Sequence, residues 1–105
     1  MEQPNLKYIK ELSGDDVEFE EKFISILKDE FPVEMATYRD HIDSNETHKA
    51  ADIVHKLKHK LNILSMEEAY RFAVVFEEQL RTGKTEMDSD FNCTLVKIED
   101  FLKTI

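Results

Sequence analysis

The chain has 105 residues, of which 35% are charged and 41% hydrophobic, and its formal net charge is −9. These totals predict one globular domain rather than a disordered chain, and the acidic excess argues against general binding to nucleic acid or anionic membranes. No apolar run approaches the roughly 20 residues that span a bilayer. The single cysteine, Cys93, predicts a reducing, cytoplasmic environment, and the presence of only two glycines and two prolines favours helices over sheets.

Apolar residues at helical spacing predict the elements in the first half of the chain. A short helix is predicted over about 6–12, ending before Gly14. A long helical segment is predicted over 15–43, and its two apolar stripes are out of phase on either side of Pro32. Because proline removes one backbone hydrogen bond, this segment is predicted to be one kinked helix or two abutting helices.

Two further helices are predicted in the middle of the chain. The first covers about 47–64, with Ser44 or Asn45 as its N-cap. The second covers about 66–82 and is predicted to begin with a capping box at Ser65.

The last predicted helix carries the apolar stripe Phe91, Leu95, Ile98 and Leu102. Short connections between amphipathic helices favour antiparallel neighbours. The sequence therefore predicts an all-α fold, namely an antiparallel up-and-down four-helix bundle with a short additional N-terminal helix. One domain is predicted over 1–105, and the Met1 start suggests a free-standing protein.

The segment 46–64 is basic within an acidic chain, because its charge is +2 and the remainder carries −11. Helical phase places His55 about 140° from the apolar stripe, with Ala51 one turn before it and Lys58 and His59 one turn after it. An exposed neutral imidazole can form a covalent intermediate, and Lys58 could offset the charge of a phosphoryl group. On this pattern alone, a solvated surface of lysines and histidines is the simpler interpretation.

The same segment contains the motif Val54-His55-Lys56-Leu57-Lys58, which resembles the signature of histidine-containing phosphotransfer (HPt) domains. The stretches "YIKELSGDDVEFEEKFISILKDEFP" before it and "MEEAYRFAVVFEEQLRTG" after it are also similar to that family, so the resemblance covers nearly the whole chain. It implies that His55 is the phosphoacceptor and that Lys58 stabilises the phosphoryl oxygens.

The resemblance implies a histidine phosphocarrier in a multistep His-Asp phosphorelay, which accepts and donates a phosphoryl group between response-regulator receiver domains. It implies no ATP-dependent kinase activity of its own, and the sequence contains no Gly-rich phosphate loop or kinase motif. The implied partners are receiver domains and a hybrid sensor histidine kinase. No cofactor is expected, because the Mg²⁺ ion belongs to the receiver, and the protein is expected to be a cytoplasmic monomer.

Several positions depart from the family's pattern. His59 stands where glycine is usual, Lys60 and Leu61 stand where small residues are common, and Ser65 stands where the family tends to have glycine. His59 could line the approach path, contact the phosphoryl group or narrow the choice of partner. It also supports an alternative function, a pseudo-HPt adaptor that binds a receiver or kinase without carrying phosphate.

Five residues are predicted to contribute to receiver docking. Ala51, His59 and Asn62 are placed on the histidine face, and Glu77 and Arg81 on the following helix. Either of the last two could reach the histidine or a receiver, although exposed helix charges usually do neither.

The two histidines of the motif also raise the possibility of a metal site. His55 and His59 are four residues apart, a spacing that can hold one metal ion on a helix. The neighbouring lysines would repel a cation, so no metal site is predicted.

Overall fold

The computed structural model describes residues 2–105. Its regular elements are five helices, α1 (Lys7–Ser13), α2 (Val17–Asp43), α3 (Thr47–Ile63), α4 (Glu67–Arg81) and α5 (Asp88–Leu102). Within the described range there is no strand, so the all-α class is confirmed. None of these helices combines the length and apolar character needed to cross a membrane.

Helix α2 continues through Pro32 as a single helix, so the predicted alternative of two abutting helices is wrong. The side chain of Asp16 accepts a hydrogen bond of 3.0 Å from the Phe19 backbone N–H. This cap satisfies one of the amides that a helix start leaves without an intrahelical partner. The two predicted stripes differ in burial, because the second half of α2 enters the core whereas Phe19 and Ile26 of the first half remain exposed.

The hydrophobic core is formed by one face of each helix. Helix α3 packs against α2 and α4, α5 packs against α2 and α4, and α1 packs against α2. Its largest buried side chains include Phe31, Tyr38, Leu57, Leu61, Phe76, Leu80, Phe91 and Leu95.

Tyr38 lies at the centre of an aromatic cluster in this core. Its ring centre is 6.3 Å from that of Phe76 and 5.3 Å from that of Phe91. Its hydroxyl donates a hydrogen bond to Asp88 at the start of α5. Burial, and then the bond to Asp88, raise the pKa of Tyr38 well above its usual range, so the hydroxyl remains protonated.

The predicted N-cap of α3 is wrong. Ser44 is the C-cap of α2, and Asn45 lies at a φ of 58°, in the left-handed region that asparagine tolerates. Glu46 occupies the N-cap position of α3, and its side chain makes no capping hydrogen bond. The connection thus serves as a tight turn rather than as a side-chain cap.

The predicted capping box of α4 is also wrong. Ser65 lies at a φ of 64°, in the left-handed region that favours glycine, and Met66 occupies the N-cap position. The first turn of α4 is capped instead by Glu2, whose carboxylate accepts hydrogen bonds of 2.8 Å from the Glu68 N–H and 2.9 Å from the Ala69 N–H. The cap therefore comes from a residue that is distant in sequence.

The segment around Glu2 makes a second hydrogen bond to the helices. The Asn5 backbone N–H donates a hydrogen bond of 3.0 Å to the carbonyl of Leu64, at the end of α3. Pro4, between the two contacts, is buried. Residues 2–5 therefore lie against the corner between α3 and α4.

Candidate functional site

His55 lies near the middle of α3 on its solvent-facing side. Its side chain is 51% exposed, while Val54 before it and Leu57 after it are buried in the core. This difference follows from the rotation of about 100° between successive helix residues. The imidazole is thus held on a buried helix yet is open to a partner, as its helical phase predicted.

Glu77 of α4 connects the polar side chains around the histidine. Its Oε1 atom lies 3.2 Å from His55 Nδ1 and accepts a hydrogen bond of 3.2 Å from Lys58 Nζ. Its Oε2 atom accepts a hydrogen bond of 3.1 Å from Arg81. One carboxylate therefore brings together three residues that the sequence had suggested separately.

The charge of Glu77 decides how the His55 ring is protonated. Burial raises the pKa of Glu77, but hydrogen bonds from Arg81, Lys58 and His55 outweigh it, so the pKa lies below its usual value. An ionised carboxylate can only accept hydrogen bonds, so Nδ1 of His55 must donate. In the neutral ring this leaves the lone pair on Nε2, the nitrogen that Glu77 does not engage.

Lys58 is fixed beside the imidazole. Its side chain is 13% exposed, and its Nζ lies 5.9 Å from the centre of the Tyr70 ring while it bonds Glu77. Because the ammonium and His55 Nδ1 both contact the same carboxylate oxygen, the two groups are close neighbours. A positive charge is therefore fixed beside the imidazole, next to the carboxylate that engages its Nδ1 atom.

Arg81 ties the end of α4 back to α3. Its two terminal nitrogens each donate to Asp52 Oδ1 at 3.3 Å, in addition to the contact with Glu77. The hydrogen bond to Glu77, more than the contact with Asp52, raises the pKa of Arg81. Sequence reasoning did not identify Asp52 as part of this cluster, although its position three residues before His55 places it on a neighbouring part of the helix surface.

His59 and Asn62 continue the exposed face towards the end of α3. The rings of His55 and His59 are perpendicular, with centres 5.1 Å apart. Asn62 lines a cavity of about 540 Å³ together with Tyr8 and Glu11 of α1. The exposed face of α3 thus leads from the histidines to the first helix.

The predicted exposure of Ala51 is wrong. Its relative exposure is 0%, because α3 packs against both α2 and α4 and the covered arc is wider than its stripe of large apolar residues. A small side chain suits this position, since the distance between packed helices depends on the side chains at the contact. Ala51 therefore supports the position of His55 from inside the core and is not open to a partner.

Lys60 does not belong to the solvated surface of lysines and histidines that the charge of this segment suggested. Its relative exposure is 8%, and its Nζ donates hydrogen bonds of 3.0 Å to Glu30 Oε1 and 3.0 Å to Glu34 Oε2 of α2. This lysine neutralises carboxylates between α2 and α3. It does not add to the positive charge around His55.

Within 2–105, no group of three or more His, Cys, Asp or Glu side chains has an arrangement that could hold a metal ion. No protein-family model, curated protein or solved structure matches the chain. What the protein does must therefore be inferred from its own residues and their geometry.

Proposed function

We propose that the protein is a histidine phosphocarrier of a multistep His-Asp phosphorelay, an HPt domain with His55 as its phosphoacceptor. The observation that carries this proposal is the bonding of His55. Glu77 engages Nδ1, which leaves the lone pair on Nε2 of a half-exposed ring, and Lys58 is fixed beside it. A nucleophile with a set tautomer and an adjacent cation suits phosphoryl transfer.

The transfer begins with in-line attack of the Nε2 lone pair on the phosphorus of an aspartyl phosphate. The new N–P bond forms as the P–O bond to the aspartate breaks, and the aspartate carboxylate leaves with the bonding pair. The ring keeps its Nδ1 proton and becomes positively charged, which the Glu77 carboxylate stabilises. Lys58 offsets the negative charge of the phosphoryl oxygens.

The partners of the proposed carrier are receiver domains and a hybrid sensor histidine kinase. The reverse of the same step returns the phosphoryl group to a receiver aspartate, so the protein carries the group between two partners. The Mg²⁺ ion is supplied by the receiver, and the carrier has no ATP-dependent kinase activity of its own. We place it in the cytoplasm as a monomer.

The helix contacts support the finer architecture that goes with this function. Helices α2, α3, α4 and α5 contact one another in a closed cycle, since α5 also packs against α2, and α1 lies beside α2. This order of neighbours is what an antiparallel up-and-down four-helix bundle with an added N-terminal helix requires. We therefore propose that architecture for the carrier.

The surface beside the histidines supports docking of a receiver. Tyr8 and Leu12 of α1 are exposed apolar side chains, and Tyr8 shares a cavity with Asn62 on the histidine helix. An apolar area next to a reactive polar group is typical of a protein interface, whose centre is depleted of charge. We propose that a receiver docks across α1 and the exposed part of α3.

The proposal is tested with a receiver that carries a radioactive phosphoryl group. The wild-type protein is expected to take up an acid-labile, base-stable label, and His55→Gln is expected to take up none because the amide is not a nucleophile. His48→Gln is the matched control, since His48 is an exposed histidine of the same helix. Equal labelling of His55→Gln and wild type would refute the assignment.

A pseudo-HPt adaptor is the second candidate, and the position of His59 favours it. The centre of the His59 ring lies 5.1 Å from that of His55, so a bulky ring stands beside the histidine at a position where glycine is usual in the family. For an adaptor, a receiver would bind wild type and His55→Gln with the same Kd, and no label would be transferred to either protein.

A further inference from the structure

His59 differs from the other polar groups around His55 in its bonding. Lys58 and Arg81 both donate to Glu77, and Arg81 also donates to Asp52. By contrast, neither ring nitrogen of His59 makes a hydrogen bond or an ion pair with any group in residues 2–105, although the ring is exposed beside His55. His59 thus has a free N–H donor within the cluster.

The geometry places the His59 ring next to the ring that would carry the phosphoryl group. The two rings are perpendicular with centres 5.1 Å apart. A phosphoryl group on Nε2 is tetrahedral, so its oxygens project above and below the plane of the ring that carries it. Hydrogen bonds span about 2.7–3.2 Å between heavy atoms, so this ring separation can accommodate an oxygen bonded to the second imidazole.

The helix repeat explains why His59, rather than another exposed donor, takes this place. Residues four apart lie one above the other on a helix face, whereas residues one apart do not face each other. Lys56 is exposed but follows His55 directly, so its side chain leaves the helix in a different direction.

We propose that His59 is a phosphoryl-binding residue, which donates its N–H to a phosphoryl oxygen during transfer to and from His55. This inference rests on the proposed function. A neutral imidazole already has one N–H, so the contact requires no change in the charge of His59. No hydrogen bond of the unphosphorylated cluster has to break for His59 to make it.

Phosphoramidate is the probe that isolates this contact, because it is a small phosphoryl donor that needs no receiver surface. The Nε2 lone pair of His55 forms the new N–P bond as the P–N bond of phosphoramidate breaks. The nitrogen of phosphoramidate is protonated as –NH3⁺, so it takes the bonding pair and leaves as ammonia. The measured quantity is the rate at which the acid-labile phosphohistidine forms. Mass spectrometry of a peptide digest at alkaline pH locates the modified residue.

Two substitutions of His59 distinguish the effect of its N–H donor from the effect of its flat ring. His59→Phe keeps a flat ring without an N–H, and its labelling is expected to be about two- to tenfold slower than that of wild type, the effect of one lost hydrogen bond. His59→Gln keeps an N–H donor and is expected to recover part of the rate. His48→Phe on the same helix is the control and should label at the wild-type rate, with helical circular dichroism unchanged in all three variants.

The outcomes distinguish the two proposals. If wild type and His59→Phe label His55 at equal rates, the role of His59 is refuted while His55 remains the acceptor. If wild type takes no label from either phosphoramidate or a phosphorylated receiver, both proposals fail. If the label is found on His59 and persists in His55→Gln, His59 is itself the acceptor and both assignments are overturned.

Discussion

Lys58 and Lys60 lie two residues apart on α3 and have similar burial, yet their ammonium groups bind carboxylates of different helices. Lys58 shares one carboxylate of α4 with a half-exposed histidine. Lys60 is held between two carboxylates of α2, Glu30 and Glu34. The first lysine is part of a cluster that a partner can reach, and the second is part of the packing between two helices.

The net charge of the segment around His55 therefore does not give the charge that surrounds the His55 side chain. The segment 46–64 carries +2, but a helix distributes neighbouring side chains over different faces. A cation that faces two carboxylates contributes no free positive charge to a histidine on another face. The role of each lysine is therefore set by the helix against which it packs, and each can be tested separately.

The largest effect is expected for Lys60→Ala. The substitution leaves the largely covered Glu34 beside Glu30 without a cation, so the free energy of unfolding should fall by about 2 kcal/mol. Urea unfolding followed by circular dichroism measures the change, and Lys56→Ala, an exposed lysine of the same helix, is the control. Labelling of the folded Lys60→Ala protein should stay normal, and a loss of stability no larger than that of the control would break the comparison.

Lys58→Ala should slow labelling and change the stability of the fold only slightly. Without the ammonium, the negative charge of the phosphoryl group is less well stabilised, so labelling by a phosphorylated receiver should slow about tenfold. The free energy of unfolding should fall by less than about 1 kcal/mol, because Glu77 keeps its contacts with Arg81 and His55. If Lys58→Ala were less stable than Lys60→Ala but labelled normally, the two roles would have to be exchanged.

A smaller effect should separate the two carboxylates that hold Lys60. Glu34 is largely covered and its Oε1 atom is buried without a hydrogen-bond partner, whereas Glu30 is exposed. Glu34→Gln should therefore cost about 1 kcal/mol in the free energy of unfolding, and Glu30→Gln less than about 0.5 kcal/mol. Equal costs would mean that Lys60 does not depend on the covered partner.

The smallest effect concerns pH and the carboxylate beside Lys58. Because the pKa of Glu77 is lower in the folded protein than its usual 4.5, its ionisation stabilises the fold above that pH, and this contribution is lost as the pH falls through the folded value. The difference in unfolding free energy between wild type and Glu77→Gln should shrink by about 0.5 kcal/mol between about pH 6 and about pH 3. A difference that grows at low pH would contradict the direction of the shift.

The helices and the exposure of His55 could be predicted because both depend on local periodicity. Large apolar residues that recur every three or four positions predict the buried face of a helix, and the phase of the opposite face follows from it. The first half of α2 is the exception, because Phe19 and Ile26 remain exposed. Ala51 could not be placed in this way, since alanine is compatible with either environment and its burial depends on how many helices cover α3. The contacts of Glu77 and of Lys60 join different helices, so no spacing within one segment reveals them.

The caps were wrong for a related reason. Ser65 has the spacing of a capping box, but a φ of 64° directs the chain through a tight turn and leaves the cap to Glu2. A pattern within four residues carries no information about a carboxylate that arrives from more than sixty positions away. The positive φ at Asn45 has the same origin, in a short connection between packed helices.

The attachment of Glu2 to α4 makes two amides informative in solution. The first N–H groups of a helix have no intrahelical partner, so they ordinarily exchange their hydrogen with solvent freely. Those of Glu68 and Ala69 are covered by one carboxylate from the N-terminal segment, that of Glu2. Their slow hydrogen exchange, and its loss in Glu2→Ala, would therefore report how long residues 2–5 stay docked while the core remains folded.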